Sequence, residues 1–303
     1  MFTLYFIGLT TGRSSIMSVF PAWAEFLGLV ECRIAGIDLP PHAPVEAYRE
    51  VVDSIKADPR AAGAVVTAHK IDLLNACRDL FDELDHNAQL LGEVSAIGKR
   101  NGRLVGMAKD PLTSGLALNA FLPDDHWRRT GAEACILGAG GAAVAVAVHL
   151  LAEEHGANRP ARIIITDRNA WRLEEVKGMR LGEGIELRHC AMPRENAAAV
   201  NHLPSRSLVV NATGLGKDAP GSPLTDEAIF PESGYAWDFN YRGDLLFLTQ
   251  ARAQQVGRRL HVEDGWIYFI HGWAQAIAAI FYIEVPTCGP QFDELCALAA
   301  KSR

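Results

Sequence analysis

The chain of 303 residues is 49% hydrophobic and 21% charged, enough to bury a core and too apolar for a disordered, collagen-like or rod-like chain. Acidic side chains outnumber basic ones by 36 to 29, and the formal charge of -7 argues against nucleic acid as a partner. Cys32, Cys77, Cys135, Cys190, Cys288 and Cys296 form no Cys-x-x-Cys pair, so free thiols in a cytoplasmic protein are expected rather than disulfides or zinc.

In chain order, the N-terminal MFTLYFIGLT lacks the basic stretch of a signal peptide and predicts a buried first strand, Thr3 to Ile7. A helix follows over Ser18 to Leu27, a strand over Cys32 to Ile37, a helix over Val45 to Lys56 and a short strand over Ala64 to Thr67. Helices are predicted from Lys70 to Leu91. Strands spaced by helices of this length imply a mainly parallel sheet. The runs Val94 to Ile97 and Arg103 to Met107 flank a five-residue gap containing Asn101-Gly102, a hairpin signal. A helix past Asp110 to Phe121 breaks at Leu122-Pro123-Asp124-Asp125, where a domain hinge is expected. Beyond it, strands are predicted at Ala134 to Leu137, Arg162 to Thr166, Glu186 to Cys190, Leu208 to Asn211, Ala236 to Phe239 and Leu260 to Val262. That is the rhythm of an open α/β nucleotide-binding domain. From Gly265 the chain is helical, with an apolar face through Ile267, Ile270, Ala274 and Ile277.

The 19 residues Ala134 to Ala152 carry no Asp, Glu, Lys or Arg, and length alone would allow a membrane helix. Gly138, Gly140 and Gly141 divide them into a strand, a turn and a helix instead, so no membrane is expected. The turn, Gly138-Ala139-Gly140-Gly141-Ala142-Ala143, is a GxGxxA variant. Its first glycine allows a tight turn. Its second lets a pyrophosphate approach amides at the helix N-terminus, and its small sixth residue lets helix and sheet pack closely. Asp167, ending the next strand, can accept from ribose hydroxyls and would repel a 2′-phosphate, which favours NAD. Arg168 beside it could bind that phosphate, which keeps NADP as the alternative.

Several segments, in this order, resemble the shikimate dehydrogenase family over most of the chain. Ile7-Gly8 with Ser14 and Gly28-Leu29 looks like its first strand, substrate loop and helix. Gly63 to Lys70 looks like its catalytic-lysine loop, and Gly102 to Asp110 like its hairpin and catalytic aspartate. The glycine turn, Asn211-Ala212-Thr213-Gly214-Leu215-Gly216 and Asp238-Phe239-Asn240-Tyr241 match three further motifs. The resemblance implies a two-domain α/β fold. An N-terminal α/β substrate domain over residues 1–110, completed by helices of 265–303, would precede a Rossmann-type dinucleotide-binding domain over 111–264.

It also implies an NAD(P)-dependent oxidoreductase that transfers hydride reversibly between the nicotinamide and a secondary alcohol of a cyclic hydroxy acid. Lys70 and Asp110 would be catalytic. Ser14, Thr67, Ser95, Tyr241 and His271 would bind substrate. Gly138, Gly140, Gly141, Ala142, Asp167, Arg168, Asn211, Ala212, Thr213 and Gly265 would hold the cofactor. A small-molecule partner and a monomer or homodimer are expected.

The departures fall around the substrate. Ile16 and Met17 stand where a second serine and a proline are usual, the lysine loop lacks its proline, and Ala108-Lys109 replace Asn-Thr. Ser95 stands for an asparagine and His271 for a glutamine. Losing matched polar partners discriminates strongly among substrates, so shikimate itself is expected to be a poor one. Arg13 could compensate by binding an anionic group. Lys70 would serve as acid or base if burial brings its pKa towards neutrality, while Asp110 would raise it. His271 would make binding pH-sensitive if it titrates near ~6.5. Two other readings are a catalytically weak sensor of nucleotide and metabolite, and a dehydrogenase of the methylene-tetrahydrofolate type.

Overall fold

The computed structural model describes residues 1–29, 31–217 and 219–302. They form two compact units, Met1–Thr113 with Ile270–Arg303, and Ser114–Phe269. The first half of the chain runs β1 (Phe2–Gly8), α1 (Ile16–Phe26), β2 (Cys32–Asp38), α2 (Val45–Ala57), β3 (Ala61–Val66), α3 (Lys70–Cys77), β4 (Glu83–Leu84), α4 (His86–Leu91), β5 (Ala96–Arg100), β6 (Arg103–Met107), α5 (Asp110–Asn119) and α6 (His126–Thr130). The second half runs β7 (Ala134–Leu137), α7 (Gly141–Leu151), β8 (Ile163–Asp167), α8 (Ala170–Gly178), β9 (Ile185–His189), α9 (Pro193–Asn201), β10 (Leu208–Asn211), β11 (Tyr235–Asp238), α10 (Leu246–Arg258), β12 (His261–Glu263), α11 (Trp266–Phe281) and α12 (Pro290–Ala300).

The first unit holds a six-stranded sheet ordered β2-β1-β3-β5-β6-β4. β2, β1 and β3 are parallel, β5 is antiparallel to both β3 and β6, and β4 is parallel to β6. Two reversals cancel, so β6 and β4 run the same way as β3. The C-terminal ends of β3, β4 and β6 and the N-terminal end of β5 therefore share one sheet edge. The C-terminal helices complete this core. Phe6 meets Trp273 edge-on with ring centres 4.8 Å apart, and the Trp23 indole N–H donates to the Leu295 carbonyl at 3.0 Å.

Two local readings change. The β5–β6 ladder closes at Arg100 opposite Arg103, so the turn is two residues rather than five. Asn101 and Gly102 both take positive φ, 50° and 77°, as a tight hairpin requires. The run from Lys70 to Leu91 is not all helix: a 3-10 turn, Arg78–Leu80, and β4 interrupt it. β4 exists because β6 offers it a ladder, a partner that lies outside any local window of sequence.

The second unit holds an all-parallel sheet ordered β12-β11-β10-β7-β8-β9. In order of appearance this is the 3-2-1-4-5-6 arrangement of a Rossmann fold, with the strand order reversing between β7 and β10. The uncharged run from Ala134 is β7, the glycine turn and α7. No helix of the described residues is long and apolar enough to cross a membrane.

Candidate functional site

In the first unit, topology brings together residues far apart in sequence. Lys70 opens α3 after β3, and Asp110 opens α5 after β6, both at the shared sheet edge. The Lys70 ammonium donates to Asp110 Oδ2, pairing side chains 40 residues apart. Both are largely buried, and Asp110 is 7% exposed. Burial alone pushes the Lys70 pKa down. The Asp110 and Glu93 charges and the Asp110 hydrogen bond push it up further, so it lies above the ordinary lysine value. The ammonium is thus the resting form, rather than an amine tuned towards neutrality. Glu93, 1% exposed, is a carboxylate that the sequence reading missed. The Val94 N–H donates to the Lys70 carbonyl at 3.1 Å, which sets Glu93 against the start of α3.

The other expected substrate residues of this unit are placed as follows. Thr67 follows β3, and its hydroxyl donates to the Ile7 carbonyl at 3.4 Å. Ser14 is half-buried at the end of the 3-10 turn Thr11–Arg13. That turn is anchored by Asp38, whose Oδ1 accepts from the Thr11 amide at 2.7 Å and its hydroxyl at 2.6 Å. These bonds, the hydroxyl first, hold the Asp38 pKa below its ordinary value. Thr11 fills the space over Gly36, where any Cβ would overlap its side chain. Ser95 is buried, its hydroxyl accepting from the Lys109 amide at 2.8 Å. His271 is buried with its ring stacked on Phe292, centres 4.4 Å apart. Burial pushes its pKa down to about 4, so it stays neutral and the conditional titration near neutrality does not arise. His69, just before α3, is 1% exposed and its Nδ1 lies 3.0 Å from the Tyr48 hydroxyl.

In the second unit, the glycine turn follows β7 and the Asn211 loop follows β10, at the two strands that flank the reversal of strand order. Ligands of open α/β sheets bind at that place. Gly138 has φ +102°, and a Cβ there would lie 3.0 Å from the Ala212 carbonyl oxygen. Gly140 precedes α7 with open space where a Cβ would be, and no side chain caps the helix. Gly141 and Ala142 form the first turn, whose amides are the orphan donors that suit a phosphate. These features fit a dinucleotide pyrophosphate.

Asp167, at the end of β8, accepts from the Ala139 amide at 2.9 Å and the Asn169 amide at 2.8 Å. Arg168 is exposed beside it. Arg172, which the sequence reading passed over, donates from Nε to the Ala139 carbonyl at 2.7 Å. Asn211 is fully buried and organises its loop. Its Oδ1 accepts from the Thr213 amide and hydroxyl, and its Nδ2 donates to the Leu215 carbonyl and to Asp238 Oδ1. The Ala212 amide donates to the Leu137 carbonyl, tying this loop to the strand that carries the glycine turn. Gly265 is required by contact, because a Cβ there would overlap the Phe239 carbonyl. Tyr241 packs among Trp266 and Phe269, with ring centres 5.2 and 4.9 Å away.

No family model matches the chain. Among curated proteins, the shikimate dehydrogenase (NADP(+)) of Streptococcus gordonii is 30% identical over 213 residues, 69% of each chain. Among solved structures, the shikimate 5-dehydrogenase of Thermus thermophilus in complex with shikimate superposes with a TM-score of 0.74 at 24% identity, covering 100% of this chain and 99% of that one. The quinate dehydrogenase of Corynebacterium glutamicum in complex with NAD gives 0.72 at 19% identity, covering 99% of each. The structural likenesses establish the fold, and the sequence identity over 69% of the chain establishes kinship. The chain belongs to the shikimate dehydrogenase family, a group of nicotinamide-dependent oxidoreductases.

Proposed function

We propose that the protein transfers hydride reversibly between NAD and a secondary alcohol of a cyclic hydroxy acid: shikimate, quinate or an analogue. The observation that carries this reading is the buried Lys70–Asp110 pair at the sheet edge. When bound, the dinucleotide supplies the hydride acceptor or donor. The protein must then move one proton at the substrate oxygen. Lys70, held as an ammonium by Asp110 and Glu93, gives its proton to the carbonyl oxygen in the reductive direction. In the oxidative direction, the neutral amine takes the hydroxyl proton. The raised pKa keeps the ammonium ready to donate, and the oxidative step begins only once that proton has left.

Gly138, Gly140, Gly141 and Ala142 would hold the pyrophosphate, with Asn211, Ala212, Thr213 and Gly265 shaping the neighbouring loops. Asp167 supports NAD over NADP, because a carboxylate accepts from ribose hydroxyls and repels a 2′-phosphate. Ser14, Thr67, Tyr241 and His271 are proposed substrate contacts. Ile16, fully buried, offers no hydroxyl, which supports an analogue over shikimate itself. The free thiols of all six cysteines fit a reducing, cytoplasmic compartment.

The test is a panel of cyclic hydroxy acids, including shikimate and quinate, assayed by nicotinamide absorbance with NAD and with NADP. Turnover of at least one, abolished by Lys70→Ala, is expected. Binding of either cofactor without turnover across the panel would sink the enzymatic reading, and family-typical turnover on shikimate would sink the preference for an analogue.

A further inference from the structure

The two residues between the end of β6 and Asp110 are held by side chains from elsewhere. The Ala108 N–H donates to Asp85 Oδ1 at 3.2 Å, and the Lys109 N–H donates to Ser95 Oγ at 2.8 Å. Neither amide belongs to the β5–β6 ladder, which ends with Met107 opposite Ala96. Asp85 follows β4 and Ser95 precedes β5, so both stand at the sheet edge that carries Lys70 and Asp110. Each has further anchors. Asp85 Oδ1 caps α4 through the Ala88 amide at 2.8 Å, and Oδ2 lies 3.4 Å from the Lys109 ammonium. Ser95 is 5% exposed, its hydroxyl lies 3.4 Å from the Met107 carbonyl, and its own amide donates to that carbonyl at 2.9 Å.

Two successive amides fixed from two directions leave the chain little freedom just before Asp110. A displacement of about 1 Å at a reacting group costs on the order of 10²-fold in rate. We propose that Asp85 and Ser95 are positioning residues, a two-point clamp that sets the backbone of Asp110 so that its carboxylate meets Lys70. The proposal rests on the catalytic reading of that pair, and it gives the Ser95 hydroxyl a task inside the protein.

The test compares Ser95→Ala, Asp85→Ala and Asp85→Asn, reading kcat, KM and the titration of the Lys70 side chain by NMR of 13C-labelled lysine, assigned with Lys70→Arg. Ser95→Ala and Asp85→Ala are expected to lower kcat by about tenfold or more and to move the Lys70 titration down by about one pH unit. Cofactor affinity stays unchanged. Asp85→Asn keeps an oxygen for both amides and is expected to restore most of the rate. Should Asp85→Ala not fold for want of the α4 cap, Ser95→Ala decides alone, since it removes one hydroxyl and no cap. The clamp is refuted if Ser95→Ala leaves the Lys70 titration unmoved, whether kcat is intact or the loss falls on substrate KM. The titration needs no turnover. A protein inactive on every substrate whose Lys70 titration still shifts in Ser95→Ala would refute the dehydrogenase reading and leave the clamp standing.

Discussion

Asp167 and Arg172 grip Ala139 of the glycine turn from its two sides. The Asp167 carboxylate takes its N–H at 2.9 Å, and the Arg172 guanidinium donates to its carbonyl at 2.7 Å. Arg172→Met should therefore weaken NAD and NADP alike, by about tenfold, or ~1.4 kcal/mol. Asp167→Ser should instead shift kcat/KM towards NADP by a similar factor. Cofactor affinities from fluorescence titration separate the two. Equal effects of the two substitutions on both dinucleotides would remove Asp167 from the ribose.

The two glycines of the turn predict opposite behaviour. Gly138→Ala forces a side chain into a left-handed conformation against the Ala212 carbonyl and should cost about 1–3 kcal/mol of stability. Gly140→Ala meets open space, so stability should change by under about 0.5 kcal/mol. Its methyl would occupy the approach of a phosphate, and dinucleotide affinity should fall by about tenfold or more. Thermal melts with and without NAD check both, and unaltered affinity in Gly140→Ala would count against the pyrophosphate assignment.

Lys70→Met and Asp110→Asn should each lower kcat by on the order of 10²–10⁴-fold. Dinucleotide affinity should change little, because neither residue belongs to the glycine turn proposed to hold the pyrophosphate. Calorimetry of NAD binding beside steady-state kinetics makes the comparison. A variant that keeps wild-type kcat would remove that residue from the chemistry.

Asp238 gives the fold a pH dependence of its own. Burial pushes its carboxyl up to about 7, against the opposing hydrogen bonds from Asn240 and Asn211. The folded state therefore keeps this proton over a range where the unfolded chain, with a pKa of ~3.9, has lost it. Stability should fall as pH rises from about 4 to 7 and level off above that. Asp238→Asn should flatten the slope. Urea midpoints between pH 5 and pH 8 provide the measurement, and an unaltered slope in the variant would assign the dependence to another group.

Elements with a strong local pattern were legible in the sequence. β7 and β10 match their predicted bounds to the residue, because a short apolar run closed by a turn signal has few other readings. β4 was not legible: two residues, Glu83 and Leu84, become a strand only through their ladder with β6. The same distinction divides the site. Lys70, Asp110 and the glycine turn stand in recognisable motifs. Arg172, Asp85 and Glu93 act through long-range bonds or charge, and nothing in their own surroundings in the sequence marks them. Ser95 was visible as a residue, but its bond to the Lys109 amide depends on how β5 and β6 pair.

The anchoring of Thr11 by Asp38, over the hollow left by Gly36, bears on any attempt to retune what the protein accepts. The residues from Thr11 to Ser14 look like an exchangeable surface loop, yet the geometry of that loop is written partly in β2. A graft of a relative's loop alone would meet a cavity and an acid shaped for a threonine. Transplants that carry positions 36 and 38 along with the loop are the ones that should fold with the new specificity intact.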